Sequence, residues 1–320
     1  MPYNCSPYNG GVRAILLALA PLLLTAGDQT FEVHGRVAPP ARAAAGLHAT
    51  ASPFAVSTLV NVDGRFRFKN VRPGMYTLEV FLLGRGEIRR TIDVGPGSAD
   101  ERGRVMVHID SSTAPVNPDR GLVIRARELS ISKEAKREYE KAANCQSKHD
   151  REGAVRHLQR AVELSPQFAA AWNNLGTIAY KSREYPEAES YFRQALEGDP
   201  DSYEPLVNLG GVLLNLGRIE EARGYNFQAV ARRPLDPLAQ VQLGMTYLRL
   251  NRLDLAEVHL MEARRLDPKH FSAPQLVLAD LYIQRGEPGK AAAQVTDFLQ
   301  QHPDWPDRQK LQEAVARWSR

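Results

Sequence analysis

The sequence predicts a multidomain chain, a small all-β sandwich followed by an all-α solenoid of helical hairpins. Two observations predict the parts and a third separates them. Apolar residues alternate with polar ones across residues 28–112, with turn residues between the runs. From residue 133 the period lengthens, and prolines recur at Pro166, Pro200, Pro234, Pro268 and Pro303, spaced 34, 34, 34 and 35 residues apart. Between the two lies a turn-rich linker, residues 113–132, entered through Ser111-Ser112-Thr113-Ala114-Pro115-Val116-Asn117-Pro118.

The bulk composition agrees with two folded parts. The chain has 320 residues, of which 43% are hydrophobic and 24% charged. Its net charge of +4 is a small surplus, because residues 28–112 hold 11 basic and 9 acidic side chains and residues 113–320 hold 29 and 28. Counted along the chain this is an even spread and not the clustered basic face of a nucleic-acid binder, so no nucleic-acid partner is expected. Of the two cysteines, Cys5 falls in a segment expected to be removed and Cys145 falls in a helix, where it reads as a small packed residue.

Residues 1–27 read as an address. Arg13 precedes the uncharged run Ala14–Leu24, and the small residues Thr25, Ala26 and Gly27 follow before Asp28. That layout is a signal peptide cleaved near Ala26–Asp28, which makes the protein secreted or periplasmic. The run is shorter than the ~20 apolar residues of a membrane span, so membrane association is expected only if the segment is kept as an anchor.

The β part comes next. Phe31, Val33, Gly35 and Val37 share one face of the first run; Leu47, Ala49 and Ala51 follow more weakly. Phe66 and Phe68 alternate with Arg65, Arg67 and Lys69, and Tyr76, Leu78, Val80 and Leu82 continue the pattern. Ile88, Ile92 and Val94, then Val105, Val107 and Ile109, complete it, with turns at Asp63-Gly64, Pro73-Gly74, Gly84-Arg85-Gly86 and Gly95-Pro96-Gly97. Short alternating runs with such punctuation predict an antiparallel sandwich. The stretch Val62-Asp63-Gly64-Arg65-Phe66-Arg67-Phe68, then Val71-Arg72-Pro73-Gly74-Met75-Tyr76-Thr77-Leu78-Glu79-Val80, resembles the hairpin of carboxypeptidase regulatory-like domains. The resemblance implies a transthyretin-like accessory domain without catalytic residues. Carbohydrate or surface-polymer binding by this sandwich is the alternative function.

Ser132 is expected to cap the first helix. From there small residues recur in the proline register: Ala154, Ala188, Ala222, Ala256 and Ala291, then Ala161, Ala195, Ala229 and Ala263, with Phe298 in the last copy. Leu175-Gly176, Leu209-Gly210 and Leu243-Gly244 recur as pairs. This is similar to the tetratricopeptide pattern, best seen in Trp172, Leu175, Gly176, Ala188, Phe192, Ala195 and Pro200. It implies five two-helix repeats over residues 133–304. The large residues Leu175, Leu209, Leu243, Phe192 and Leu260 should fill the layer within each pair, and each proline should end its second helix. Leu311, Val315 and Trp318 predict one more amphipathic helix over residues 305–320, closing the stack.

Function is sought on the first helices, which line the concave face in that family and there bind peptides or helices of partner proteins. Asn174, Asn208 and Gln242 form an amide column 34 residues apart, failing at Glu140 and Val277. Amides donate and accept along an extended peptide. Asn173, Tyr180, Val207, Leu214, Val241, Met245, Leu248 and Arg249 are the other groove candidates. Only Lys181 and Arg249 supply cations, too few for the family's carboxylate-clamp variant. The eight histidines form no HExxH motif, and the sequence has no GxSxG, GxxxxGK or CxxC. Gly286-Glu287-Pro288-Gly289-Lys290 is assigned to a turn, and His149, His157, Glu220-Glu221 and Arg232-Arg233 to solvated positions. The expected function is a non-enzymatic protein-interaction scaffold of the cell envelope or extracellular space, with a protein or peptide partner and no catalytic residue, metal or small-molecule cofactor.

Overall fold

A computed structural model describes residues 30–41, 43–49, 55–82, 86–113 and 130–318. The signal segment and Leu122–Ile124 lie outside these residues. The described residues divide into two compact units, with the boundary after Pro234.

The first unit begins with seven strands: β1 (Phe31–Ala38), β2 (Ala43–Ala49), β3 (Ala55–Leu59), β4 (Arg65–Val71), β5 (Gly74–Leu82), β6 (Gly86–Val94) and β7 (Arg104–Asp110). They form two sheets, ordered β4-β1-β7 and β3-β2-β5-β6. The inward positions of both, among them Val33, Val37, Phe66, Phe68, Leu78, Val80, Leu82, Val105 and Ile109, make one core. The alternation therefore locates the core-facing residues, and three features differ from the expected antiparallel hairpins. First, β1 and β7 pair in parallel, so the smaller sheet is mixed. Second, the Asp63-Gly64 turn joins β3 in one sheet to β4 in the other, and β4 and β5 also lie in different sheets. The resembled motif is thus a corner between sheets, with Gly64 at φ 75° accepting the left-handed backbone it needs. Third, β3 has no matching alternation; it is an edge strand whose Val56 and Leu59 are exposed, so burial imposes no pattern on it. Tyr76 is half-buried, its hydroxyl donating to the Arg72 carbonyl at 3.0 Å.

Gly35 explains itself by contact. It sits opposite Phe66 across β1 and β4, and a Cβ at this position would lie 1.8 Å from that ring.

The unit continues with six helices: α1 (Lys133–Ser147), α2 (Arg151–Leu164), α3 (Ala169–Lys181), α4 (Tyr185–Gly198), α5 (Tyr203–Asn215) and α6 (Ile219–Arg232). Ser132 caps α1 as expected, its side chain accepting from the Ala135 amide at 3.1 Å. The second unit holds α7 (Pro237–Arg249), α8 (Leu253–Leu266), α9 (Pro274–Gln284), α10 (Pro288–Gln301) and α11 (Arg308–Trp318). Consecutive helices pair as hairpins α1/α2 through α9/α10.

The repeat is visible in the backbone. Each hairpin turns through one residue of positive φ: His149, Arg183, Gly217, Asn251 and Gly286. These keep the 34-residue spacing, with 35 at the last step, although only two are glycine. At each turn the next residue's amide reaches back to the first helix, as from Glu184 to Ala179 at 3.0 Å and from Arg218 to Leu213 at 2.9 Å. Gly286 and Glu287 are therefore the turn the sequence suggested, whereas Pro288, Gly289 and Lys290 already open α10.

Packing explains the Leu-Gly pairs. A Cβ on Gly176 would lie 2.6 Å from the Phe192 ring, one on Gly210 1.8 Å from Asn226, and one on Gly244 2.7 Å from Leu260. Phe192, Asn226 and Leu260 occupy the same register of the second helix and are buried. Ala161, Ala195, Ala229 and Ala263 are likewise fully buried.

In the last hairpin Phe298 replaces that alanine. Among the described residues the next element is the single helix α11, which packs there with Leu311 and Ala314 buried. The Phe298 ring lies 4.4 Å from His302 and 5.0 Å, edge-on, from Trp305. Burial, with Lys269 nearby, pushes the His302 imidazole down to about 4. Between pH 6.5 and 4 the unfolded chain gains a proton that the folded chain refuses, so stability is lost as pH falls through that window. After discounting for solvent at the half-buried ring, the loss should be about 2 kcal/mol. Denaturant melts at pH 7 and 4 should show it, and His302→Phe should flatten the dependence; equal slopes for both proteins would remove His302 as the cause.

Candidate functional site

The first helices of the first unit bring together a cleft of about 520 Å³. It is lined by Lys136 and Tyr139 of α1, by Ala169, Ala170, Asn173 and Asn174 of α3, and by Glu204 and Pro205 of α5. The helical period of α3 sets Ala169, Ala170, Asn173 and Asn174 on adjoining positions of one face.

The amides are engaged between repeats. Asn174 Nδ2 donates to Tyr139 Oη at 2.8 Å, Asn208 Nδ2 to Asn173 Oδ1 at 3.0 Å, and Asn215 Nδ2 to Tyr180 Oη at 3.1 Å. Each pair is separated by 35 residues, one more than the repeat. Asn174 and Asn208 of the column singled out in the sequence are therefore tied to the preceding hairpin, and Asn174 is only 3% exposed. Asn174 keeps its carbonyl oxygen after donating, and Asn173 keeps its amino group after accepting. An acceptor and a donor thus belong to successive residues that line the cleft. Tyr139 and Asn215 escaped the sequence reading; the 35-residue offset between an amide and a hydroxyl was the available signal.

The remaining candidates divide by burial and by unit. Val207 and Leu214 are buried at 4% and 6% exposure, so they serve the core of the first unit, while Tyr180 is exposed and its ring meets Tyr185 edge-on at 5.6 Å. In the second unit Val241 and Leu248 are buried, Gln242 and Met245 half-buried, and Arg249 exposed. Of the eleven residues singled out, Asn173 and Asn174 line the cleft.

Burial raises the Tyr139 hydroxyl above the usual tyrosine range, and local desolvation raises that of Tyr180 although the residue is 38% exposed, so both stay protonated at neutral pH. Lys181, at the end of α3, is pulled down to about 8 by desolvation. Any anion placed beside its ammonium would reverse that shift.

Charged residues expected at solvated positions are paired. Arg233 is 18% exposed, its guanidinium lying 3.9 Å above the Tyr203 ring and 3.2 Å from Glu204. Arg89 of β6 reaches the same Glu204 at 3.4 Å while bonded to Glu79 at 2.9 Å and to Glu87. Strand β6 therefore contacts a residue that lines the cleft. His157 is held by Glu138 at 2.6 Å, and His149 meets Arg72. Among the described residues, no three of His, Cys, Asp and Glu converge as a metal-holding group.

Tetratricopeptide-repeat family models match residues 147–203, 179–240 and 238–270. Residues 147–270 are tetratricopeptide repeats. The repeat fold is shared with solved structures. One is MamA, residue 41 to its end, from Desulfovibrio magneticus RS-1, 20% identical, covering 55% of this chain and 99% of that one at a TM-score of 0.50. Another is PilW, described as a widely conserved type IV pilus biogenesis factor, 23% identical, covering 59% of this chain and 87% of that one at a TM-score of 0.53. At these identities the likeness establishes the tetratricopeptide fold alone. No curated protein matches the sequence. The β-rich region before the repeats has no family match that shows it to be carboxypeptidase regulatory-like.

Proposed function

We propose that this protein is a non-enzymatic scaffold of the cell envelope or extracellular space that holds a segment of a partner protein against the first helices of its tetratricopeptide repeats. One observation carries the reading: beside the cleft, Asn173 retains an amino donor and Asn174 a carbonyl acceptor, each fixed in orientation by its bond to the neighbouring repeat. A donor and an acceptor at adjoining positions match the carbonyl and amide of one peptide unit. By sequence register the amide recurs at Asn208 in the first unit and at Gln242 in the second, with Tyr180, Met245 and Arg249 as further candidates. The apolar run Ala14–Leu24 behind Arg13 supports export, and the sandwich reads as a docking module beside the cleft through Arg89.

The test uses bulk, because the asparagines also hold the repeats together. Ala170 is exposed on α3 and lines the cleft. Peptides selected from a displayed library on the wild-type chain should bind Ala170→Trp at least tenfold more weakly by calorimetry, with an unchanged melting temperature. Equal binding by both would move the partner site off this cleft.

A further inference from the structure

The smaller sheet carries a property that counting charge along the chain hides. In β1 and β4 the inward positions are Phe31, Val33, Gly35 and Val37 and then Phe66, Phe68 and Val71. Alternation therefore sends Arg36, and also Arg65, Arg67 and Lys69, to the outer face. The register sets Arg36 directly opposite Arg65 on one side and His108 on the other, and His34 opposite Arg67 and Met106. Like charges directly opposed across a sheet are destabilising. The larger sheet does the reverse, since Glu79 stands opposite Arg89 and pairs with it at 2.9 Å. On the smaller sheet the carboxylates are Glu32, bonded to His34 at 2.8 Å, and Asp110 at the far end of β7, while Arg104 is paired with Asp100 at 2.7 Å. Arg36, Arg65, Arg67 and Lys69 are exposed, and among the described residues none of them has a carboxylate within ion-pair distance, Glu32 acting on Arg67 and Lys69 only at longer range.

We propose that this face, centred on Arg36, Arg65, Arg67 and Lys69, docks on an anionic lipid bilayer surface. Three observations select that occupant. Cations carried at the pitch of neighbouring strands, about 4.8 Å, make a broad field and not a pocket for one anion. Among the described residues the face has no exposed Trp, Tyr or Phe on which a sugar or a nucleic-acid base could stack, and Met106 is its exposed large apolar side chain. The apolar run ends at Leu24 and β1 begins at Phe31, so any bilayer that receives the run lies within about 25 Å of this sheet. Basic side chains near an anionic membrane each add about fivefold to its binding. The proposal is independent of the cleft and its partner.

The chain from Asp28 to Arg320 retains every described element and removes the apolar run as a confounding anchor. It is mixed with vesicles of phosphatidylcholine, with or without 30 mole per cent phosphatidylglycerol, and floated on a density gradient. The expected result is binding to the anionic vesicles alone, weakening steeply with salt. R36Q/R65Q/R67Q should bind about a hundredfold more weakly, whereas R36K/R65K/R67K, which keeps the charge, should bind within a fewfold of wild type. Both variants are checked by circular dichroism. Unchanged binding by the folded glutamine variant overturns the proposal. So does equal binding to neutral vesicles, or binding to soluble heparin without binding to anionic vesicles. Loss of vesicle binding in the lysine variant as well would also overturn it, since charge would not be the cause.

Discussion

Gly176→Ala is expected to destabilise the first unit by about 3 kcal/mol, opposite in sign to the roughly 1 kcal/mol that alanine normally contributes over glycine inside a helix. The added methyl would sit 2.6 Å from the ring of Phe192, which is 1% exposed and among the largest fully buried side chains. Neither helix can retreat, because fully buried Ala188 and Ala195 already hold the pair close. The last repeat shows the alternative solution: its register carries Ala279 on the first helix and the smaller Val295 on the second, both buried. Phe192→Val alone should cost about 2 kcal/mol through its cavity. The double variant should then be more stable than the sum of the singles by at least about 1.5 kcal/mol. Urea melts of the four proteins decide this, and additivity would show that the glycine serves something other than the ring.

Phe298→Ala should cost about 4 kcal/mol, near the upper range for emptying a core aromatic position. The substitution merely restores the alanine that the other four repeats carry at this register. Those alanines are fully buried within stacked hairpins, whereas Phe298 fills the space where α10 meets the single helix α11. Its ring also covers His302, so the variant should lose the acid sensitivity assigned to that imidazole along with the stability. Thermal melts at pH 7 and 4 report both. A cost below about 1 kcal/mol would mean that α11 closes the space by moving.

Much of the fold is legible in the residues because burial repeats. Period two marks Phe66, Phe68, Leu78 and Val80 as inward, and the 34-residue register of prolines and alanines marks each hairpin. Strand β3 and the parallel pairing of β1 with β7 leave no such trace, since an edge strand lacks the burial that imposes a pattern and pairing partners are not encoded locally. The site was legible in part. Asn173 and Asn174 do line the cleft, yet their bonds to Asn208 and Tyr139 arise only when the hairpins stack.

By itself, then, the sequence determined which residues face inward, where the helices turn and how many hairpins follow one another, because each of these depends on spacing along the chain. The tertiary structure alone decided that Arg233 stacks on Tyr203, that three asparagines each reach 35 residues back, and that Arg36 joins Arg65, Arg67 and Lys69 on one face. An evenly spread charge count becomes a cationic surface through strand register, which brings together residues about 30 positions apart.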